Sequence, residues 1–302
     1  MKLKGIIFTI ISATLFGCAP AIVQKIYSYG ATPETTTFFR NFFAIPITFI
    51  IILFQKGNIK QFYVTKKQLF SIAIISCGGL ACATLTLVSA YPFIGTSMAT
   101  TLHFLYPVFV ALICFLFFKE KLGKLKIAAL ILSFIGILFF FQKGNNNNHI
   151  YLGIFLSVIS GLANAFYIVG LDKFNLREIS SMVLTFFISL FAAIGLLLFG
   201  FCTNRIHFAL PHQAYFFMFL NSVLIAFIAI ALLQIGIKYL NATMAAMLSL
   251  FEPVTSNIIG VLFMNEDMTF KKIIGSIIIL ASAMVIVLLD HSKAETENKQ
   301  LC

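Results

Sequence analysis

Ten apolar runs follow one another along this chain, at residues 4–24, 34–54, 68–90, 95–118, 124–142, 150–170, 180–202, 213–236, 241–264 and 272–290. Each has about the 20 residues that a helix needs to cross ~30 Å of hydrocarbon. The pattern predicts an all-α integral membrane protein of ten transmembrane helices that uses nearly the whole chain. The longest gaps, 55–67 and 203–212, have the length of simple connections, so no extramembrane domain is expected. Lys2 and Lys4 ahead of the first run have the outline of a signal peptide. No loop large enough to need secretion follows them, and a retained first span is expected.

The polar positions that interrupt these runs repeat. His103-Phe104-Leu105-Tyr106-Pro107-Val108 and Ser249-Leu250-Phe251-Glu252-Pro253-Val254 stand 146 residues apart, and each proline is followed 13 residues later by a glutamate, Glu120 and Glu266. Gly5 with Lys25, matched by Gly153 with Lys173, and Ser12, matched by Ser160, extend the correspondence. Residues 1–144 and 149–292 are therefore expected to be two five-helix repeats, with the asparagine run 145–148 as a passive join and 293–302 as a cytoplasmic tail. An odd number of spans per half makes the halves enter from opposite sides, an inverted repeat that places a site near the repeat interface.

Composition agrees with the pattern: 60% of residues are hydrophobic and 10% charged, against about 25% charged in soluble domains. The net charge of +11 sits in the short gaps, so it reads as topology signal rather than as a nucleic-acid surface. With both termini cytoplasmic, the inner set is Lys2, Lys4, Lys56, Lys60, Lys66, Lys67, Lys119, Lys121, Lys124, Lys126, Lys173, Arg177, Lys238, Lys293 and Lys299; Lys25, Arg40, Lys143, Arg205, Lys271 and Lys272 remain outside it. The six cysteines are scattered with no CxxC or Cys/His spacing, so neither a disulfide framework nor a metal site is expected. The 36 phenylalanines face lipid and fill the core, and they carry no substrate inference.

The ten-span layout, Tyr106-Pro107 and Glu252-Pro253 in spans 4 and 9, Glu120 and Glu266 closing those spans, and Arg40 early in span 2 resemble the EamA branch of the drug/metabolite transporter superfamily. The resemblance covers essentially the whole chain. It implies ten helices around a central cavity in a bacterial inner membrane, usually for export of amino acids or related small metabolites. The second half departs from the pattern in having no arginine to match Arg40.

The residues make their own case for a site. A carboxylate at mid-span costs at least ~2.5 kcal/mol on insertion scales, so Glu252 is expected to face a cavity or a partner. Helical spacing puts Ser249, Thr255 and Ser256 on its side. Pro253 lacks an N–H and frees the carbonyl of Ser249, and Pro107 does the same for His103 in a matching stripe of Thr96, Thr100, His103 and Tyr106. Glu252 then binds a substrate amine or carries a coupling proton; a purely structural role, protonated and hydrogen-bonded to a neighbouring span, is the competing reading. Arg40 anchors a substrate carboxylate, pairs with Glu252, or snorkels to the outer headgroups. Asn164, on one face of span 6 with Ser157, Ser160 and Tyr167, is a cavity candidate or an interhelical hydrogen bonder. Glu120 and Glu266 point to interfacial anchoring or gating contacts, and Gly17, Gly78, Gly79, Gly95, Gly161 and Gly260 to close helix packing.

Three other classes fit less well. An intramembrane enzyme needs convergent catalytic groups, whereas His103, His149, His207, His212 and His291 are dispersed. A channel needs a filter-like loop or a ring of charge. A flippase for lipid or polyprenyl-linked carriers would use the same fold and is the alternative to a secondary transporter of small organic solutes working by alternating access. No GxxxxGK[ST] motif occurs, no cofactor is expected, and the drive is a gradient or the solute itself.

Overall fold

The structure is a computed structural model and describes residues 2–54, 62–120, 123–139, 149–264 and 269–282, the last segment without 272, 276 and 279. The asparagine join, Glu266 and the C-terminal tail lie outside the described residues. Every regular element among the described residues is helical. The order is α1 (Lys2–Tyr27), α2 (Pro33–Phe42), α3 (Ala44–Phe54), α4 (Lys66–Ile74), α5 (Cys82–His103), α6 (Tyr106–Phe118), α7 (Lys124–Leu138), α8 (Ile150–Lys173), α9 (Ser181–Thr203), α10 (His212–Asn221), α11 (Ile230–Tyr239), α12 (Ala242–Leu248) and α13 (Phe251–Met264).

Among the described residues, seven helical stretches are long and apolar enough to cross a membrane: Lys2–Tyr27, Pro33–Phe54, Lys66–Thr96, Met98–Phe118, Ile150–Lys173, Ser181–Thr203 and His212–Tyr239. The remaining apolar runs hold the shorter helices Ile127–Leu138 and Ile273–Ser282 and the broken pair α12–α13. Large apolar side chains such as Leu116, Phe117, Phe201 and Phe216 point outward and are exposed. In water that surface would drive aggregation; against acyl chains it needs no partner.

Local chemistry explains where the helices start and stop. Pro33 opens α2 behind the Thr32 cap, whose Oγ1 accepts from Thr35 N, and Asn241 caps α12 through Met244 N. The run 34–54 divides at Phe43, because Pro46 cannot donate to the carbonyl of Phe42. Spans 3 and 4 differ from the sequence expectation in having no gap at residues 91–94. The helix continues through them, and Gly95 makes the turn alone at φ 77°, ψ 161°, a conformation that side chains with a Cβ disfavour. Gly95 therefore serves the backbone rather than close helix packing, since a Cβ there would meet nothing within 4 Å.

The repeat reappears as packing. Helix α1 lies against α11 and α13, and α8, its counterpart, lies against α5 and α6. Each half thus lends its first helix to the other half. Ser12 Oγ donates to Ala229 O and Ser160 Oγ to Ala83 O, both at 2.7 Å. Thr9 and Ser157 turn back onto Gly5 O and Gly153 O at 2.8 and 2.9 Å. A Cβ at Gly5 would strike Tyr239 and Leu240, and one at Gly153 would strike Phe93 and Ile94, the residues 146 positions earlier. Wide π-helical turns at Ile75–Ala81 and Ser222–Ala229 also fall at matching positions, a feature with no sequence signal. Between apolar helices, close approach at such small residues supplies dispersion, and each side-chain bond adds about 0.6 kcal/mol on average.

Candidate functional site

The broken helices define the site. In both halves the chain leaves its helix two residues before the Tyr106-Pro107 or Glu252-Pro253 element, at 104–105 and 249–250, and a new helix begins around the proline. Each is a two-residue interruption beside the proline, between α5 and α6 and between α12 and α13. The carbonyls freed by the prolines are also not open to a ligand. Glu252 N–H donates to Ser249 O at 2.9 Å, and His103 O packs onto Gly161, where an added Cβ would come within 2.9 Å.

The side chains at the two breaks face one buried cavity of about 80 Å³. It is lined by Arg40 from α2, Thr84, Tyr91 and His103 from α5, Tyr106 from α6, Asn164 and Tyr167 from α8, Ser249 from the second break and Glu252 from α13, with Phe16, Leu87 and Leu233 among the apolar walls. Five pairs of lining residues are equivalent under the repeat: Phe16 and Asn164, Ala19 and Tyr167, Leu87 and Leu233, His103 and Ser249, Tyr106 and Glu252. The cavity is therefore lined by matching positions of both halves. The charges break that symmetry, because Arg40 corresponds to Ile188 and Glu252 to Tyr106.

Arg40 is 8% exposed; its Nη1 donates to Thr84 Oγ1 at 3.4 Å, and its Nε is buried without a partner. Among the described residues no ion pair joins it to Glu252, and it does not reach outward as a snorkelling arginine would. His103 is fixed more firmly. Its Nδ1 lies 2.7 Å from Ser160 Oγ, and that hydroxyl has its single proton on Ala83 O. The imidazole must then be the donor, which leaves Nε2 as the acceptor of the neutral ring. The His103 ring also lies 5.4 Å from that of Tyr106.

Of the residues singled out from sequence, Arg40, His103, Tyr106, Asn164, Ser249 and Glu252 converge on this cavity. Thr100 and Ser256 do not line it. Thr100 lies four residues before its break and Ser256 six residues after its own; Thr100 Oγ1 donates to Thr96 O at 2.7 Å while the backbone of Ser256 backs onto Gly17. Pro107 and Pro253 shape the breaks without lining the space. Thr84 and Tyr91 were not anticipated. Their signal was present, since Thr84, Leu87, Val88 and Tyr91 follow the 0, 3, 4, 7 spacing of one helix face and all four line the cavity.

The EamA-like transporter family profile matches residues 3–142 and again 151–288. The chain is 24% identical over 294 residues to the uncharacterized inner membrane transporter YicL of Salmonella typhimurium, covering 96% of this chain and 97% of that one. It is 24% identical to the uncharacterized transporter YoaV of Bacillus subtilis, with coverage of 89% and 92%, and 23% identical to an uncharacterized transporter of Archaeoglobus fulgidus, with 91% and 93%. A protein of known crystal structure superposes with a TM-score of 0.77 over 96% of this chain and 98% of its own, at 15% identity, a likeness of fold.

Proposed function

The chain belongs to the EamA-like transporter family, and on that premise we propose that it is a secondary transporter exporting small zwitterionic solutes, amino acids or related metabolites, by alternating access. The observation that carries this reading is the placement of one guanidinium, Arg40, and one carboxyl group, Glu252, on a single buried cavity lined by both halves. Each charge costs about 2.5–3.5 kcal/mol to hold at mid-membrane. A solute bearing one carboxylate and one ammonium answers both at once and leaves the loaded cavity neutral. A planar guanidinium offers a carboxylate two parallel hydrogen bonds, and the Nε of Arg40 is already buried without a protein partner. Glu252 receives the ammonium, while His103 Nε2, the Tyr106 hydroxyl and Asn164 complete the polar lining.

In this reading the chain crosses the inner membrane ten times, as two inverted halves with both termini cytoplasmic. The exchange of first helices between halves supports that topology, because rocking one half against the other moves α1 and α8 past the two breaks together. A cavity of about 80 Å³ is well under the 300 Å³ at the lower end of ligand pockets, so solute entry requires the breaks to separate. Energy comes from a gradient or from the solute.

The test is solute counterflow in liposomes carrying the parent chain or Glu252→Gln, with a mixed amino-acid and metabolite pool read by mass spectrometry. Exchange of a defined subset, lost in a Glu252→Gln protein that still folds, supports the reading. Exchange untouched by the substitution returns Glu252 to a structural role. No exchange of any soluble solute, beside an active control, moves the assignment to a lipid-linked carrier flippase.

A further inference from the structure

A second charged cluster lies outside the cavity, and it joins both halves at one end of the helices that build it. Lys173, the last residue of α8, places Nζ 2.5 Å from Glu120 Oε1 and 3.1 Å from Asp172 Oδ2. Glu120 follows α6, and its Oε2 accepts from Thr243 Oγ1 at 3.3 Å, in the first turn of α12. Arg177 pairs with Asp172 and reaches Leu240 O at 3.4 Å, just ahead of α12. The Asp172 side chain is 1% exposed, and those of Glu120 and Lys173 are 26% and 22% exposed.

The connectivity gives these contacts a consequence. From the cluster, α6 runs back to Tyr106, α12 runs to the interruption at Ser249, and α8 runs to Tyr167 and Asn164. The cluster clamps together the outer ends of three helices whose inner ends form the cavity wall. At the opposite end the repeat keeps the lysine and has Gln24 for Asp172, while Glu266, the counterpart of Glu120, lies outside the described residues. Gln24 donates to Thr96 Oγ1 at 2.9 Å. Lys25 stands in the place of Lys173 and has its Nζ 5.4 Å from the centre of the Tyr29 ring. That end is tied across the halves by Arg205 Nη1 and Glu34 Oε1 at 3.4 Å, with the Arg205 side chain 68% exposed, so the shorter and more buried pairs are those at the Glu120 end.

We infer that Glu120, Lys173, Asp172 and Thr243 are the gate at this end of the transport path, and that their ion pairs bias the protein toward the state closed there. The inference rests on the alternating-access reading above. Solute enters or leaves at this end when Lys173 releases Glu120 and the outer ends of α6 and α12 part. The lining charges are untouched, so the gate sets which state is populated rather than which solute is bound. A bias of this kind shifts a two-state balance only by the interaction that differs between the states.

The experiment uses the full chain with its native cysteines changed to serine and Asn164→Cys as a reporter on the cavity wall. Vesicles of both orientations are treated with a membrane-impermeant maleimide. Neutralising a partly buried pair is expected to raise labelling from the Glu120 face about two- to fivefold in Glu120→Gln and to lower it from the other face. The charge swap, Glu120→Lys with Lys173→Glu, restores part of the starting balance, since Lys173→Glu also sets a carboxylate beside Asp172; a merely structural role would give no recovery over Glu120→Lys alone. Thr243→Val, which removes only the hydroxyl from Glu120, moves labelling the same way by less and serves if Glu120→Gln does not fold. Labelling unchanged from either face in both Glu120→Gln and Thr243→Val, with the reporter still reachable from one face at a time, overturns the gate alone. A reporter that solute never closes to either face overturns the gate together with alternating access.

Discussion

Ser12 and Ser160 occupy equivalent places and make the same 2.7 Å bond to an alanine carbonyl of the opposite half, but only Ser160 also holds His103. That makes Ser12→Ala an internal control for Ser160→Ala. Losing one interhelical side-chain bond costs about 0.6 kcal/mol, so Ser12→Ala is expected to destabilise the fold by about that much. Ser160→Ala loses two such bonds, about 1.2 kcal/mol. It also strands the Nδ1–H of a histidine that is 7% exposed, and leaving a buried donor unsatisfied costs about 1–3 kcal/mol. The sum is about 2–4 kcal/mol, so the two substitutions should differ by about 1.6–3.6 kcal/mol, which is tenfold or more in equilibrium constant. Equilibrium unfolding in mixed micelles measures both. A double-substitution cycle with His103→Phe should return a coupling of about 1 kcal/mol or more for Ser160 and none for Ser12. Equal destabilisation by the two serine substitutions would refute the account of His103. In counterflow, Ser160→Ala should also slow exchange, because the imidazole it orients lines the cavity.

Gly17→Ala is expected to destabilise by about 1–3 kcal/mol and to slow transport, since its Cβ would come within 2.6 Å of Thr255 Cβ and 2.9 Å of Glu252 O and force the start of α13 to shift; a thermal-stability and counterflow pair checks it. Gly123→Ala, which meets nothing within 4 Å, should leave both unchanged. Gly95→Ala also meets nothing but stands at φ 77°, so about 1–2 kcal/mol of pure backbone strain is expected in the same unfolding assay. Thr84→Val removes the hydroxyl that holds Arg40 Nη1 and should weaken solute binding, read as a raised counterflow KM, with little loss of stability.

Much of this was legible from residues whose chemistry is costly in a bilayer. The 146-residue spacing of the two proline elements and the 148-residue spacing of Ser12 and Ser160 reappear as matched bonds, because a duplicated chain buries its repeated faces in the same way twice. Arg40 and Glu252 stood out because apolar runs rarely tolerate charge, and they do converge. Thr84 and Tyr91 were passed over because hydroxyls are cheap enough in a membrane to be unremarkable singly. Thr100 and Ser256 were over-read, because spacing along one helix gives direction but not depth, and a small cavity reaches only the residues nearest the breaks. The π-helical turns and the turn made by Gly95 alone had no hydrophobic pattern to betray them, since both are features of the backbone rather than of which side chains face where.

The central claim is that Arg40 and Glu252 hold opposite ends of one solute, and analogue discrimination in counterflow tests it most directly. Once an exchanged amino acid is identified, its decarboxylated and deaminated analogues are competed against it on the parent, Arg40→Gln and Glu252→Gln proteins. The account predicts that the parent rejects both analogues, that Arg40→Gln no longer distinguishes the analogue lacking the carboxylate, and that Glu252→Gln no longer distinguishes the one lacking the amine. Variants that slow exchange yet discriminate both analogues as the parent does would contradict it, and would place the two charges in the scaffold rather than on the solute.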